Sequence, residues 1–389
     1  MTERLYYEDS FLTHFLGTVQ AVEQDGRYVY LDRTAFYPAS GGQPHDTGML
    51  NSVPVVEVID EQDRVAHVLA QPLGVTVGSS VAGVVNWARR RDHMQQHSGQ
   101  HLLSGVLADL YKVQTLSFHL GEELSTIEID KPGLLAAQVA AAEQRVNELI
   151  WEGRGVTVHY EEASVAGGLR KASEREGTLR IVSISGLDRS ACGGTHVTCT
   201  SQIGMMTIRG FDKVRGNLRI EFLCGHRALR RARTDYEKLT AAARLFSSPL
   251  DDVPELIGAL QGKAKDAEKA ARKLAGELAW FEGRRKYQET APNAAGLRFV
   301  EETHGELDET VRARAQALTS GEKAVYLGVS EERLAVLYAA SADSGIQAGQ
   351  VLKAALTEVG GRGGGAATLA QGSVPDKAAL DKVRERLRN

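Results

Sequence analysis

The sequence predicts a multidomain α+β protein, and three observations carry that prediction. Residues 1–90 are dense in short β-rich runs separated by turn residues. The middle of the chain mixes long amphipathic helical patterns with further strands, and residues 291–389 return to α/β alternation. At 389 residues the chain is also too long for one ordinary core. Four parts are expected: a small β-barrel over 1–90, an α+β domain over 91–225, a helical linker or arm over 226–290, and an α/β domain over 291–389.

Composition narrows the class. Apolar residues at 42% and charged residues at 25% match a soluble globular protein. No run of about eighteen apolar residues occurs, so no membrane helix is expected. The opening Met1-Thr2-Glu3-Arg4-Leu5 lacks the basic start and apolar run of a secretory leader. Three cysteines (Cys192, Cys199 and Cys224) are too few and too clustered for a disulfide framework. A cytoplasmic protein is expected.

In chain order, Gly26–Asp32, Ala66–Leu69 and Val81–Val85 supply barrel strands. Residues 87–111 predict a helix, with Met94, Leu102, Leu103, Val106, Leu107 and Leu110 at helical spacing. Strands at 115–120 and 125–129 follow, then a helix over 133–152 and strands at 156–160 and 179–184. Over 226–288 the pattern predicts two helices broken at Ser247-Ser248-Pro249. The apolar stripe Leu256, Leu260, Ala267, Ala270, Leu274, Leu278 and Phe281 suggests an antiparallel helical pair, and this arm is one candidate seam for a homodimer. Strands at 297–300, 324–329 and 334–339 and helices at 309–318 and near 351–356 complete the chain. They lead into Gly360-Gly361-Arg362-Gly363-Gly364-Gly365, which predicts a loop able to bring backbone N–H groups to phosphate.

Two short stretches carry the chemistry. In His97-Ser98-Gly99-Gln100-His101 two imidazoles four residues apart share one helix face. In Cys192-Gly193-Gly194-Thr195-His196 a thiol and an imidazole flank a glycine pair that permits a tight fold. Together they form the nitrogen and sulfur ligand set that tetrahedral zinc prefers, as four protein ligands or as three plus a water. No Glu follows His97, so the general base of a zinc protease is missing. A zinc site without a carboxylate base suits an activated ester better than an amide.

The net charge of −4 means that a nucleic-acid partner must be met by local basic patches. Two such patches flank the ligand motifs. One is Arg89-Arg90-Arg91, and the other includes Arg209, Lys213, Arg215, Arg219, Arg227 and Arg230. An ester carried on nucleic acid, such as an aminoacyl-tRNA, is consistent with both features.

These residues carry a family resemblance. Thr34-Ala35-Phe36-Tyr37-Pro38 with Gly41-Gly42-Gln43-Pro44, the His97/His101 pair, and Cys192-Gly193-Gly194-Thr195-His196 occur in the order of the AlaX alanyl-tRNA editing proteins. The tail, with Ala370-Gln371-Gly372, is similar to the DHHA1 signature of the long form. The resemblance implies an editing domain over 91–225 and a DHHA1-like domain over 291–389, the latter a second candidate dimer seam. It implies that His97, His101, Cys192 and His196 bind one zinc ion per chain. It also implies hydrolysis of Ser-tRNA(Ala), and by extension Gly-tRNA(Ala), with Ala-tRNA(Ala) spared. Thr34, Gln43, Gly193, Gly194 and Thr195 are the expected substrate-binding residues; Arg89, Arg90, Arg215, Arg219, Gly361, Gly363 and Gly364 are the expected tRNA contacts. The nucleophile is a water, zinc-bound or held by substrate hydroxyls, and no protein base is assigned. A DHH-type phosphoesterase is the competing enzyme class, but Asp92-His93-Met94 lacks the second His of its motif. A tRNA-binding module with a structural zinc is the competing non-enzyme.

Overall fold

In the strand His14–Glu23, Phe15 and Val19 are buried while Leu16 and Gln20 are exposed, the period-2 alternation of a strand with one face in a core. The computed structural model describes residues 1–173 and 176–388. Its first strands are β1 (Glu3–Arg4), β2 (His14–Glu23), β3 (Tyr28–Leu31), β4 (Arg33–Thr34), β5 (Gly48–Leu50), β6 (Val53–Asp60), β7 (Val65–Leu69) and β8 (Ser80–Val85). Six of them close a barrel in the order β2-β3-β7-β6-β5-β8, which leaves no open edge. Val29, Leu31, Val58 and Val81 are among the side chains that fill it.

The barrel leads into α1 (Trp87–Tyr111), whose bounds match the expected helix. Asn86 caps it by accepting from the Arg89 N–H, and Lys112 ends it in the left-handed conformation. Every residue from 93 to 107 is buried, polar ones included. Gln96 satisfies both backbone groups of Cys224, donating to its carbonyl at 3.0 Å and accepting from its N–H at 2.9 Å. Gly99 is where the helix comes closest to the neighbouring strand: a Cβ there would lie 2.3 Å from the Cys224 sulfur.

Around α1 lie β9 (Thr115–Leu120), β10 (Ser125–Ile129), α2 (Ala136–Glu152), β11 (Val156–Glu162), β12 (Thr178–Ile184), β13 (Asp188–Ala191), β14 (Met206–Val214) and β15 (Asn217–Cys224). They form a four-stranded sheet, β14-β15-β10-β9, and a three-stranded sheet, β11-β12-β13. Leu102, Val106, Val146, Ile127, Ile220 and Phe222 belong to one core beneath them. Barrel and sheets fall within one compact unit, Met1–Ala241.

The second unit, Ala242–Asn389, is built on a five-stranded sheet. Its order is β16-β17-β18-β20-β19, from β16 (Arg298–Thr303), β17 (Ala324–Ser330), β18 (Ala335–Ala340), β19 (Arg362–Gly365) and β20 (Leu369–Ser373). Only β16 and β17 run parallel. Every residue of β17 is buried because helices cover both faces. Val325 and Leu327 face α6 (Ala348–Glu358) and α7 (Lys377–Arg388), while Ala324 and Tyr326 face α5 (Glu309–Thr319).

One expectation is corrected here. The glycine run is an edge strand, β19, rather than a phosphate-cradling loop. A Cβ on Gly363 would sit 2.4 Å from the Gly372 Cα and 2.8 Å from Leu356, so the glycine lets the strand pair beneath α6. The two helices expected over 226–288 are α3 (Gly225–Phe246) and α4 (Val253–Glu289), with the break between them where Ser247-Ser248-Pro249 placed it. Within α4 only Val253, Ala279 and Gly283 are buried, and Leu260, Leu274, Leu278 and Phe281 of the expected stripe are exposed. The packing α4 makes within its unit is against α5, where Gly283 rests on the Arg314 backbone and Arg314 pairs with Glu282 and Glu302. Among the described residues, no helix is long and apolar enough to cross a membrane.

Candidate metal centre

His97 and His101 project from one face of α1, and the loop after β13 brings Cys192 and His196 to meet them. One ligand atom from each of the four lies within 4.8 Å of the others. Cys192 Sγ is 3.4 Å from His97 Nε2 and 3.3 Å from His196 Nε2. Zinc with bonds of about 2.0–2.3 Å to tetrahedral nitrogen and sulfur ligands needs neighbouring ligands roughly 3.3–3.7 Å apart. The donor set suits zinc, and the two Cys192 separations match its ligand spacing.

A hydrogen bond on the far side of each ring holds the three imidazoles. His97 Nδ1 bonds Gln43 Oε1 at 2.8 Å, His101 Nδ1 bonds Asp188 Oδ2 at 3.0 Å, and His196 Nδ1 bonds Ser98 Oγ at 3.1 Å. All three rings are tied at Nδ1, which leaves Nε2 to point at the common centre. Gly194 is required where the loop crosses His97, since a Cβ would lie 2.2 Å from the ring. Behind the loop, Arg180 donates to the carbonyls of Cys192 at 2.7 Å and Gly194 at 3.0 Å.

The electrostatics agree with a ligand set. Burial pushes the Cys192 thiol up, but His97 and His196 outweigh it and hold the thiol well below its ordinary range. Burial is the main reason His196 is pushed down to about 3, so it is neutral. For His101 burial also works downward, yet Asp188 and Cys192 lift it to about 9, and a metal would displace that proton.

The site forms the floor of a cleft of about 480 Å³. Tyr7, Tyr37 and Phe118 supply aromatic wall, and Lys171 lines the cleft together with Arg4 and Arg170, which are paired with Asp60 and Asp188. No carboxylate lines it among the described residues.

The other expected site residues are dispersed. Gly193 and Gly194 line the cleft. Thr195 and Gln43 are buried and bonded to each other, Gln43 Nε2 donating to Thr195 Oγ1 at 2.9 Å and Gln43 Oε1 accepting from the Thr195 N–H at 3.2 Å. Gln43 thus stands behind His97 rather than in the cleft. Thr34 is buried inside the barrel, 2.7 Å from His67 Nε2, and does not line the cleft.

Arg90 is fully buried and cannot reach a nucleic acid. It grips the Asp46 carboxylate and the carbonyls of Ser10 and Ala35. Arg89 donates to the His45 carbonyl, Arg219 pairs with Glu128, and Arg215 is exposed in the turn between β14 and β15. Gly361, Gly363 and Gly364 lie at the β19 edge of the second unit. Sequence reasoning missed Asp188, Arg180 and Gln100. Only Gln100, between the two histidines, carried a local signal.

Comparison with known proteins places each region. Residues 7–89 match the family model for class II (A) tRNA synthetases. Residues 179–221 match the second additional domain of threonyl and alanyl tRNA synthetases, and residues 298–389 match the DHHA1 domain. The alanyl-tRNA editing protein Aarsd1 of Mus musculus is 33% identical over 319 residues, covering 80% of this chain and 76% of its own. The alanyl-tRNA editing protein AlaX-L of Pyrococcus horikoshii is 30% identical over the full length of both chains. An alanine–tRNA ligase of Pyrococcus furiosus is 31% identical, covering 98% of this chain but 43% of the ligase. The chain belongs to the alanyl-tRNA editing proteins, in the AlaX-type form that ends in a DHHA1 domain.

Proposed function

We propose that this chain is a trans-editing hydrolase that deacylates mischarged tRNA(Ala), seryl and also glycyl, while sparing Ala-tRNA(Ala), with one zinc ion held by His97, His101, Cys192 and His196. The observation that carries this reading is the convergence of four ligand atoms, three on rings tied at Nδ1, at the floor of the cleft. Zinc bound there would polarise an ester carbonyl or lower the pKa of a water.

The chain's own residues do the rest. Arg4, Arg170 and Lys171 attract the phosphates of a tRNA 3′ end. Tyr7, Tyr37 and Phe118 supply faces on which a terminal base can stack. Gln43, Ser98 and Asp188 keep the imidazoles aimed, and Arg180 fixes the thiol's loop. Among the described residues no carboxylate lines the cleft, which suits an activated ester better than an amide.

The test is deacylation of Ser-tRNA(Ala) and Ala-tRNA(Ala) side by side, with metal analysis of the same sample. Loss of serine with alanine retained and about one zinc per chain is the expected result. Zinc bound with neither ester cleaved would leave a structural metal in a tRNA-binding protein.

A further inference from the structure

We infer that Gln100 is a specificity-determining residue whose side-chain carbonyl accepts a hydrogen bond from the seryl hydroxyl of the substrate; the inference rests on the editing reading above. Gln100 sits between His97 and His101 in the wall of the cleft and is 2% exposed. Its amide nitrogen is committed: Nε2 donates to Ser104 Oγ at 2.9 Å, and the same oxygen accepts from Thr115 Oγ1 at 2.7 Å. That pinning leaves Oε1 as a buried acceptor with no partner among the described residues.

Its neighbours on α1 make the contrast plain. The carbonyl oxygens of Gln95 and Gln96 both accept from backbone N–H groups, and Ser98 accepts from the Val197 N–H. A buried acceptor is normally matched, so an unmatched one beside a cleft marks the place where a ligand brings the donor.

Serine and alanine differ by one hydroxyl, and a hydroxyl is a neutral donor. The α-ammonium is another donor, but every aminoacyl ester carries it and so it cannot discriminate. Thr34 and Gln43, which the family resemblance places among the substrate-binding residues, are occupied by His67 and by His97 with Thr195. An alanyl ester would leave Oε1 buried and unmatched, whereas a seryl ester satisfies it; a glycyl ester also lacks the hydroxyl and is expected to be the poorer of the two mischarged substrates. A site built for a hydroxyl rejects the analogue that lacks it.

The experiment compares single-turnover deacylation of seryl- and 2-aminobutyryl-tRNA(Ala), the second replacing the serine hydroxyl by a methyl group of similar size. The wild type should prefer the seryl ester by roughly tenfold to a hundredfold, and Gln100→Leu should remove most of that preference. Gln100→Glu, which keeps acceptor oxygens, should restore a preference for serine. A wild type that cleaves both esters equally overturns the inference without any variant. A Gln100→Leu protein that folds, retains its metal and keeps the wild-type ratio overturns it too, as does a parallel fall on both esters. A wild type that cleaves no ester at all defeats the editing reading instead.

Discussion

Helices α1 and α4 are both long, and they handle polarity in opposite ways. Over its central residues 93–107, α1 buries two histidine ligands, three glutamines and two serines. Over most of its 37 residues α4 leaves leucines in water: Leu274 is 64% exposed and Leu278 60%. Polar groups are tolerated inside when each finds a partner, and most of those on α1 do. An apolar stripe by itself says that a residue pattern is helical, not that the helix is covered. The comparison teaches that burial is decided by what the rest of the chain brings alongside.

The largest effect that would test this contrast comes from the ligands on α1. His101→Ala should lose the metal and with it deacylation, by more than the 10–100-fold typical of an outer-shell change. Metal content and seryl-tRNA turnover measure it, and full turnover without metal would separate the cluster from the reaction. Next comes the pair that joins α1 to the barrel. Arg90→Ala leaves Asp46 buried and unpaired and should lower stability by about 3–5 kcal/mol in urea unfolding. If it instead changed only the salt dependence of tRNA binding, Arg90 would be a surface contact after all.

Smaller effects sharpen the comparison further. Asp188→Asn keeps the fold but loosens His101, so zinc affinity should drop by roughly 10–100-fold in a competition titration. An unchanged affinity would show that Asp188 serves only Arg170 and Ser190. On α4, Leu274→Lys should move the unfolding free energy by no more than about 0.5 kcal/mol, as at other exposed positions. A marked, concentration-dependent loss would mean that the stripe is covered in solution by a second copy.

Much of this was legible in the residues. The bounds of α1, the strands Thr115–Leu120 and Ser125–Ile129 and the barrel strand near Val81–Val85 follow from periodicity and turn residues, because those signals are local. The four metal-ligating candidates were visible for the same reason: each half-site is five residues long. The glycine tail misled because glycine serves two purposes. Gly360 does take a positive φ of 71°, as a turn requires, but Gly363 is there so that strand, strand and helix can approach. Arg90 misled in another way, since it and its neighbour Arg89 point in different directions on the helix. One of the two ended in the core.

By itself the sequence determined the fold class, the helices and strands that carry the site, and the four candidate ligands. These are properties of spacing and of side-chain chemistry, and they need no distant partner. Only the tertiary structure decided which carboxylate steadies His101, that Gln43 stands behind His97 rather than in the cleft, and that Gln100 is left with an unmatched oxygen. The first two of those facts join residues 87 and 54 positions apart in the chain. Hydrogen bonds across such separations leave no periodic trace in a single sequence, because they depend on how strands and helices pack rather than on what lies next to what.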